Sequence, residues 1–387
     1  MGALSHIRVL DLSRVLAGPW ASQILADLGA EVIKVENPNG GDDTRHWGPP
    51  FMADDNGNAT EESAYYLSAN RGKRSVCIDM RSEEGQRQIR ELAKSADVVL
   101  ENFKVDGLAK YGLDYDSLAA INPRLVYCSI TGFGQTGPYR ERPGYDFLIQ
   151  AMGGIMSITG SAETGPQRVG VAVSDIMTGL YATIGILAAL QEREQSGLGQ
   201  HVDLGLLDTT AAILANQASN YLVGGVVPGL IGNSHPNVVP YQVFATRDGH
   251  CIVAVGNDSQ FRSCMTELGL PELGTDERYA TNRARIENRD SLVAIMQEKL
   301  LASDRDEWLA RFESAGVPCG PINSMDEVYS DPQIQARGMV VDLQHPDRES
   351  LKVTGNPIKL SRTPVEYNRH PPKLGEHTEE ILAHLKD

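Results

Sequence analysis

Along the first third of the chain, short apolar runs alternate with stretches whose apolar residues recur at helical spacing. "IRVLDLS" (7–13) and "EVIKVE" (31–36) are short and β-branched. Between them "GPWASQILADLG" (18–29) carries a helix-period stripe that Gly29 stops. The alternation continues through "RSVCIDM" (74–80), a helix from Glu84 to Ala96, "DVVLEN" (97–102), a helical stretch over 115–121 and "LVYCSI" (125–130). Strands alternating with helices predict βαβ units, and so an α/β fold with a parallel sheet and right-handed crossovers. Runs such as VVL and LVYCSI are apolar on both faces, as strands covered by helices on both sides require.

Beyond that region, "VGVAVSDIMTGLYATIGILAALQ" (169–191) predicts a long helix from Asp175 to Glu194. "GQHVDLGLLDTTAAILANQASNYLV" (199–223) reads as a strand leading into a second long helix. The Gly-, Pro- and Asn-rich "GGVVPGLIGNSHPNVVP" (224–240) breaks the pattern as linker and loop. "YQVFATRDGHCIVAVG" (241–256) is a hairpin around an Arg-Asp-Gly turn, and helices follow over 258–268 and 289–316. The tail 339–387 holds one more strand-like run and a last helix in "GEHTEEILAHL". These breaks predict a large domain built from residues 1–224 and 331–387 and a smaller α+β domain over 225–330.

Composition narrows the class. With 387 residues, 41% hydrophobic and 22% charged, the chain has the make-up of a soluble globular protein. Its formal charge is 35 − 51 = −16, which repels nucleic acid and anionic membranes. The five cysteines are odd in number and widely spaced, with no CxxC. They read as free thiols in a reducing cytoplasm rather than as a disulfide framework or a metal site. The N-terminus lacks a signal-peptide pattern, and His6 stands where a myristoylation signal needs a hydroxyl residue. The longest unbroken apolar run, "IGILAAL" (184–190), is too short to span a bilayer.

For chemistry, the first βα turn, "DLSRVLAGPWAS", lacks the GxGxxG that close approach to a pyrophosphate needs, which argues against a nicotinamide dehydrogenase. No GxSxG, P-loop, HExxH or kinase motif appears. Arg14, Arg45, Arg71, Lys73, Arg74, Arg81, Lys104, Lys110, Arg140 and Arg142 cluster near strand ends. In an open α/β sheet that edge binds ligands, so the cluster suits a polyphosphate; scattered surface ion pairs are the plain alternative. Asp175 stands alone at the head of an apolar helix. Either Ser174 or Asp175 caps that helix, or Asp175, kept ionised by the helix terminus, is a nucleophile toward a reactive acyl group.

Taken in order, "RVLDLSRVLAGPWASQILADLGAEVIKVE", "NRGKRSVCIDM", "DVVLENF", "NPRLVYCSITGFGQTGPY", "GYDFLIQAMGG", "VAVSDIMTGLYATIGILAAL" and "PPKLGEHT" resemble the family III CoA-transferases over nearly the whole chain. The resemblance implies a Rossmann-like large domain made from both chain ends, a small domain, and two subunits interlocked as a homodimer. Coenzyme A or acyl-CoA is then substrate rather than a tightly bound cofactor, and the single catalytic aspartate falls on Asp175. It also implies a covalent route through an aspartyl mixed anhydride and an aspartyl-CoA thioester.

By the same resemblance, CoA contacts fall on Arg14, Leu16, Ala17, Ile78, Arg81, Asn102, Phe103, Lys104, Lys110, Arg142 and Tyr145. Asn37 stands where the formyl-CoA enzymes carry Arg. Trp47 matches an aromatic near the acyl site, with a core tryptophan as the plain alternative. Gly232, Asn233 and His235 lie in the loop "GLIGNSHPN" (229–237), which matches the family's small-domain loop but is less glycine-rich. The segment 232–261 looks most like members that act on succinyl-CoA and small dicarboxylic acids. The distal carboxylate of such a substrate would need Arg45, His46, Asn233 or His235. Two alternatives share the fold. An α-methylacyl-CoA racemase needs an acid/base pair, but the triplet is Gly144-Tyr145-Asp146, without the histidine of that family. A formyl-CoA/oxalate-type transferase is the other.

Overall fold

A computed structural model describes residues 2–385. It divides the chain into two compact units. One comprises the residues up to Met156, Arg168–Val227 and those from Pro332 on; the other comprises Ser157–Gln167 and Pro228–Asp331. The residues 157–167 thus group with the second unit, although the pattern assigned them to the large domain. There a short hairpin pairs Gly160 with Pro166, and the Gly232 N–H donates to the Gly160 carbonyl (2.9 Å).

The first unit is built on six parallel strands: β1 (Arg8–Asp11), β2 (Glu31–Glu36), β3 (Lys73–Cys77), β4 (Val98–Glu101), β5 (Val126–Thr131) and β6 (His201–Gly205). Their order in the sheet is β6-β5-β4-β1-β2-β3, the doubly wound arrangement. The topology reverses between β1 and β4. Such a reversal, beyond the carboxyl ends of those two strands, is where open α/β sheets bind their ligands.

Period-two alternation sends side chains to two cores. Val9, Val32, Val98, Val126 and Cys128 face α1 (Ala17–Asp27) and α4 (Val173–Ser196). Leu10, Ile33, Val76, Val99 and Tyr127 face α2 (Glu83–Lys94) and Ile381 of the terminal helix. The tail returns to the sheet edge, where the Cys77 N–H donates to Thr378 Oγ1 and the His377 N–H to the Ser75 carbonyl.

Three elements depart from the pattern. The long helix expected after β6 is broken into α5 (Leu206–Ala212) and Ala215–Leu222, the second starting at Ala215 with φ 46°. The stretch 289–316 is two helices, Arg289–Leu300 and Arg305–Ser314. The tail carries a hairpin of two strands, Val340–His345 and Arg348–Thr354, rather than one strand.

α4 also corrects the reading drawn from unbroken runs. It has 24 residues and a mean hydropathy of 1.6 over an 18-residue window, enough by length and composition alone to cross a membrane. Its small and hydroxyl residues are mild enough to keep the window apolar. Here it packs on α1 and the sheet, with Thr178, Gly179, Ala182, Thr183, Ile186 and Arg193 buried. The Arg193 guanidinium at its far end pairs with Asp97 (2.9 Å).

α1 and α4 approach closely because Gly179 has no side chain. A Cβ there would sit 2.7 Å from the Ala17 carbonyl and 3.2 Å from Trp20. Gly170, by contrast, has open space around it. Gly179→Val should therefore cost about 2 kcal/mol, and Gly170→Ala no more than ~0.5 kcal/mol. Chemical denaturation of both variants checks this, and equal stabilities would contradict the close-packing account.

Candidate active site

The carboxyl edge of the sheet is organised by buried charges. Lys34 and Lys73 are fully buried. Lys34 Nζ donates to Asp42 and to the Ser13 carbonyl, both at 2.9 Å. Lys73 Nζ reaches Asp11 (3.2 Å), the Pro19 carbonyl and Asn70. Burial opposes ionisation of Asp11, but Lys73 and Lys34 overcome it and hold the carboxyl below its usual range. Asp42 is held at about 2: burial again opposes, and Lys34 with the Thr44 N–H prevails. Burial brings Lys73 down to about 8.

This frame sets the turn from β1 to α1. Asp11 accepts from the N–H and hydroxyl of Ser13, and Asp42 accepts from the Val15 N–H. Val15 has φ 69°, a left-handed conformation that is costly for a β-branched residue and is held by these contacts. Across the switch point, Asn102 uses both ends of its amide on the Arg14 backbone. Its Oδ1 accepts the Arg14 N–H (2.9 Å), and its Nδ2 donates to the Arg14 carbonyl (2.6 Å). The Arg14 guanidinium lies over the Phe103 ring (5.3 Å) and pairs with Asp43 (3.0 Å). The structure thus brings Arg14, Asn102, Phe103 and Lys104 to one edge.

Of the ten basic residues, several are already committed. Arg45 pairs with Glu36 (2.8 Å), Arg71 with Asp27 (2.6 Å) and Lys73 with Asp11, all buried. Arg74 pairs with Glu31 and Glu380, and Arg140 with Asp106 and Glu141. Arg81 is exposed but pairs with Asp79. Among the described residues Lys104, Lys110 and Arg142 have no carboxylate partner. Lys110 Nζ lies over Tyr111 (4.8 Å), and Arg142 over Tyr139 (4.6 Å). Arg45 is therefore not available to a substrate carboxylate, and His46 Nε2 lies 3.2 Å from the Gly40 carbonyl.

Other expected contacts need restating. Leu16, Ala17 and Ile78 are buried, Ala17 and Ile78 within the two cores, so little of their side chains is open to a ligand. Asn37 is exposed, and its Oδ1 caps a local turn at the Asn39 N–H. Tyr145 is 70% exposed. Trp47 is 45% exposed, which rules out a core tryptophan, and its ring packs edge-on against Tyr65 (5.2 Å).

At the head of α4 neither Ser174 nor Asp175 caps the helix. The N-cap position is Ala172, which offers no side-chain acceptor. The cap comes from α3 (Asp146–Met152): Asp146 Oδ1 accepts the N–H groups of Ser174 (2.9 Å) and Asp175 (3.4 Å). Asp146 Oδ2 accepts from Gln150, whose Oε1 accepts the Val169 N–H. Ser174 is buried, and its hydroxyl accepts from Thr210 of α5 (2.8 Å).

The Asp175 carboxylate has no hydrogen-bond or ion-pair partner among the described residues. Its pKa is also opposite to expectation. Burial, and then the Asp146 carboxylate, push it up to about 7, where the helix terminus alone would lower it. Tyr65 lies within electrostatic reach. Burial and the charges of Asp175, Asp146 and Asp42 push its hydroxyl to about 12, so it stays a donor at neutral pH. The sequence reading missed Tyr65 and the cap by Asp146. Of the triplet Gly144-Tyr145-Asp146, the sequence reading assigns a contact to Tyr145 and none to Asp146.

The second unit orders its own loop. Gly232 takes φ 62°, and Asn233 is exposed. His235 Nδ1 accepts the Asn237 N–H (3.0 Å), and its ring packs on Tyr241 (5.2 Å). Arg289 donates to the His235 and Pro236 carbonyls, and Asn282 to the Asn237 carbonyl. Among the described residues no group of three or more His, Cys, Asp or Glu could hold a metal ion.

Known proteins are similar to this chain over most of its length. A crystal structure of a CAIB/BAIF family protein from Brucella suis is 51% identical, with a TM-score of 0.89 over 99% of both chains. A protein of Agrobacterium fabrum named succinate–glutarate CoA-transferase is 53% identical over 383 residues, 99% of this chain and 96% of that one. A human protein named succinyl-CoA:glutarate CoA-transferase is 44% identical over 359 residues, 93% of this chain and 80% of that one. The family model for CoA-transferase family III matches residues 4–378. The chain belongs to CoA-transferase family III.

Proposed function

We propose that the protein moves CoA from succinyl-CoA to a small dicarboxylic acid of the glutarate type, with Asp175 as the residue that carries the acyl group. The observation that carries this reading is the Asp175 carboxylate, half-buried and without a partner among the described residues, with the Tyr65 hydroxyl within electrostatic reach. The names of the Agrobacterium and human relatives support the choice of donor and acceptor.

In this reading the Asp175 carboxylate attacks the thioester carbonyl of succinyl-CoA, and the C–S bond breaks to release CoA thiolate. The thiolate attacks the aspartyl carbonyl of the mixed anhydride, expelling succinate and leaving an aspartyl-CoA thioester. A carboxylate of the acceptor attacks that thioester, again releasing the thiolate. The thiolate then takes the acceptor's acyl group and frees Asp175. An unpaired carboxylate is a better nucleophile than one held in an ion pair, and the protonated Tyr65 supplies a donor for charge developing on oxygen. Arg14, Phe103, Lys104, Lys110 and Arg142 are the positions we assign to CoA, with Asn102 acting by fixing the Arg14 turn. Trp47 remains assigned to the acyl groups.

An interlocked homodimer is part of the proposal. It is supported by the exposed apolar run Tyr221, Leu222, Val223, Val226 and Val227, which a second subunit would cover. Five free cysteines suit a reducing cytoplasm.

Asp175→Asn should lower exchange between succinyl-CoA and glutarate by ~10³-fold or more while CoA still binds. Normal turnover of that variant, or washout of the α-proton of a 2-methylacyl-CoA in D₂O at turnover rate, would sink the assignment. The same substitution should stabilise the fold. The folded-state pKa of Asp175, about 7, lies above the unfolded value near 3.8, so its ionisation destabilises increasingly as pH rises from 4 to 7. The Tm gain of Asp175→Asn should therefore be larger at pH 8 than at pH 5, by about 2–4 °C.

For the wild type, kcat/KM should fall on the acid side with a midpoint near 7, as Asp175 takes a proton. Asp146→Asn keeps an oxygen to cap α4 but removes the charge, and should move that midpoint down by up to about one unit. An unmoved midpoint would show that Asp146 does not act on Asp175. Tyr65→Phe should cost ~10²-fold in kcat with little change in KM.

A further inference from the structure

Glu101 ends β4 at the switch point, is 6% exposed, and has no part in the route above. Its Oε2 accepts the Phe103 N–H (2.7 Å), closing the turn that carries Asn102, Phe103 and Lys104. Ser129 stands opposite it on β5, and its side chain favours the ionised carboxyl. Ser129 Oγ in turn lies 2.9 Å from His201 Nε2 on β6, and the His201 ring stacks on Tyr115 (5.0 Å). A chain of polar groups thus runs from the turn, across three strands, to a partly exposed imidazole.

The chain is satisfied in either protonation state. With Glu101 ionised, Ser129 donates to it and accepts from the His201 Nε2–H. With Glu101 protonated, Glu101 donates to Ser129, which donates to an unprotonated Nε2. Burial, with Asp203 adding to it, brings the Glu101 carboxyl to about 7, so both states are populated near neutrality. A carboxyl with one fixed set of donors would lose a partner on gaining a proton; this one does not.

We propose that Glu101 is a positioning residue for the acyl-CoA: it holds the 102–104 turn against the Arg14 turn, and Ser129 and His201 keep that hold intact. The inference rests on the assignment of that edge to CoA. Asn102 links the two turns through the Arg14 backbone, so displacing one displaces the other.

The test is steady-state kinetics with succinyl-CoA and glutarate. Glu101→Ala leaves the Phe103 N–H without its acceptor and should raise KM for succinyl-CoA ~10-fold, with kcat and KM for glutarate within ~2-fold. Glu101→Gln mimics the protonated form. Its carbonyl accepts from Phe103 and its amide donates to Ser129, so KM should return to within ~2-fold of wild type. Ser129→Ala, a milder change in case Glu101→Ala does not fold, should raise the same KM ~3-fold. Lys104→Ala and Lys110→Ala test the edge itself. If they raise KM and Glu101→Ala does not, or if Glu101→Ala lowers kcat and leaves KM alone, the positioning role is wrong. If neither lysine variant changes KM, the assignment of CoA to this edge falls, and the role of Glu101 falls with it.

Discussion

Two lysines with no access to water hold the carboxyl edge of the sheet together. Lys34 ties β2 to Asp42 and to the Ser13 carbonyl, and Lys73 ties β3 to Asp11 and the start of α1. Buried ion pairs add little net stability, but breaking one leaves a stranded charge, so each fixes its geometry firmly. From them the rest follows in order. Asp11 and Asp42 set the strained turn at Val15, and that turn sets α1. α4 then lies against α1 through Gly179, one helical turn along from Asp175. The position of the proposed nucleophile therefore depends on charges that never meet a substrate.

Asp175 is subject to two opposed influences. Its place in the first turn of a helix favours the carboxylate, whereas burial and the Asp146 carboxylate favour the acid. Asp146 acts in both senses: its charge raises the pKa of Asp175 while its oxygen caps the helix on which Asp175 rides. The result is a carboxylate with no hydrogen-bond partner among the described residues, less stable than a paired one and freer to react with an acyl carbon.

At the switch point between β1 and β4, two turns from distant parts of the sequence are fastened backbone to side chain by Asn102. Below them Glu101, Ser129 and His201 form a second tier of polar contacts that crosses the sheet. The arrangement separates duties: buried groups hold the turns, and the exposed Lys104 and Lys110 are left without carboxylate partners among the described residues.

Much was legible in the sequence because it is local. The alternation of β-branched runs with helix-period stripes gave the parallel sheet, the break at 224–240 fell close to the division between the units, and the ordered motifs pointed to the family. Local patterns say nothing about which distant groups meet. That Arg45, Arg71 and Lys73 are spent on Glu36, Asp27 and Asp11, that Leu16 and Ile78 are buried, and that residues 157–167 join the second unit are outcomes of packing. The sign of the Asp175 shift belongs with them. Helix position can be read from the chain, but desolvation and the approach of Asp146 exist only once the helices are assembled, and those terms prevail.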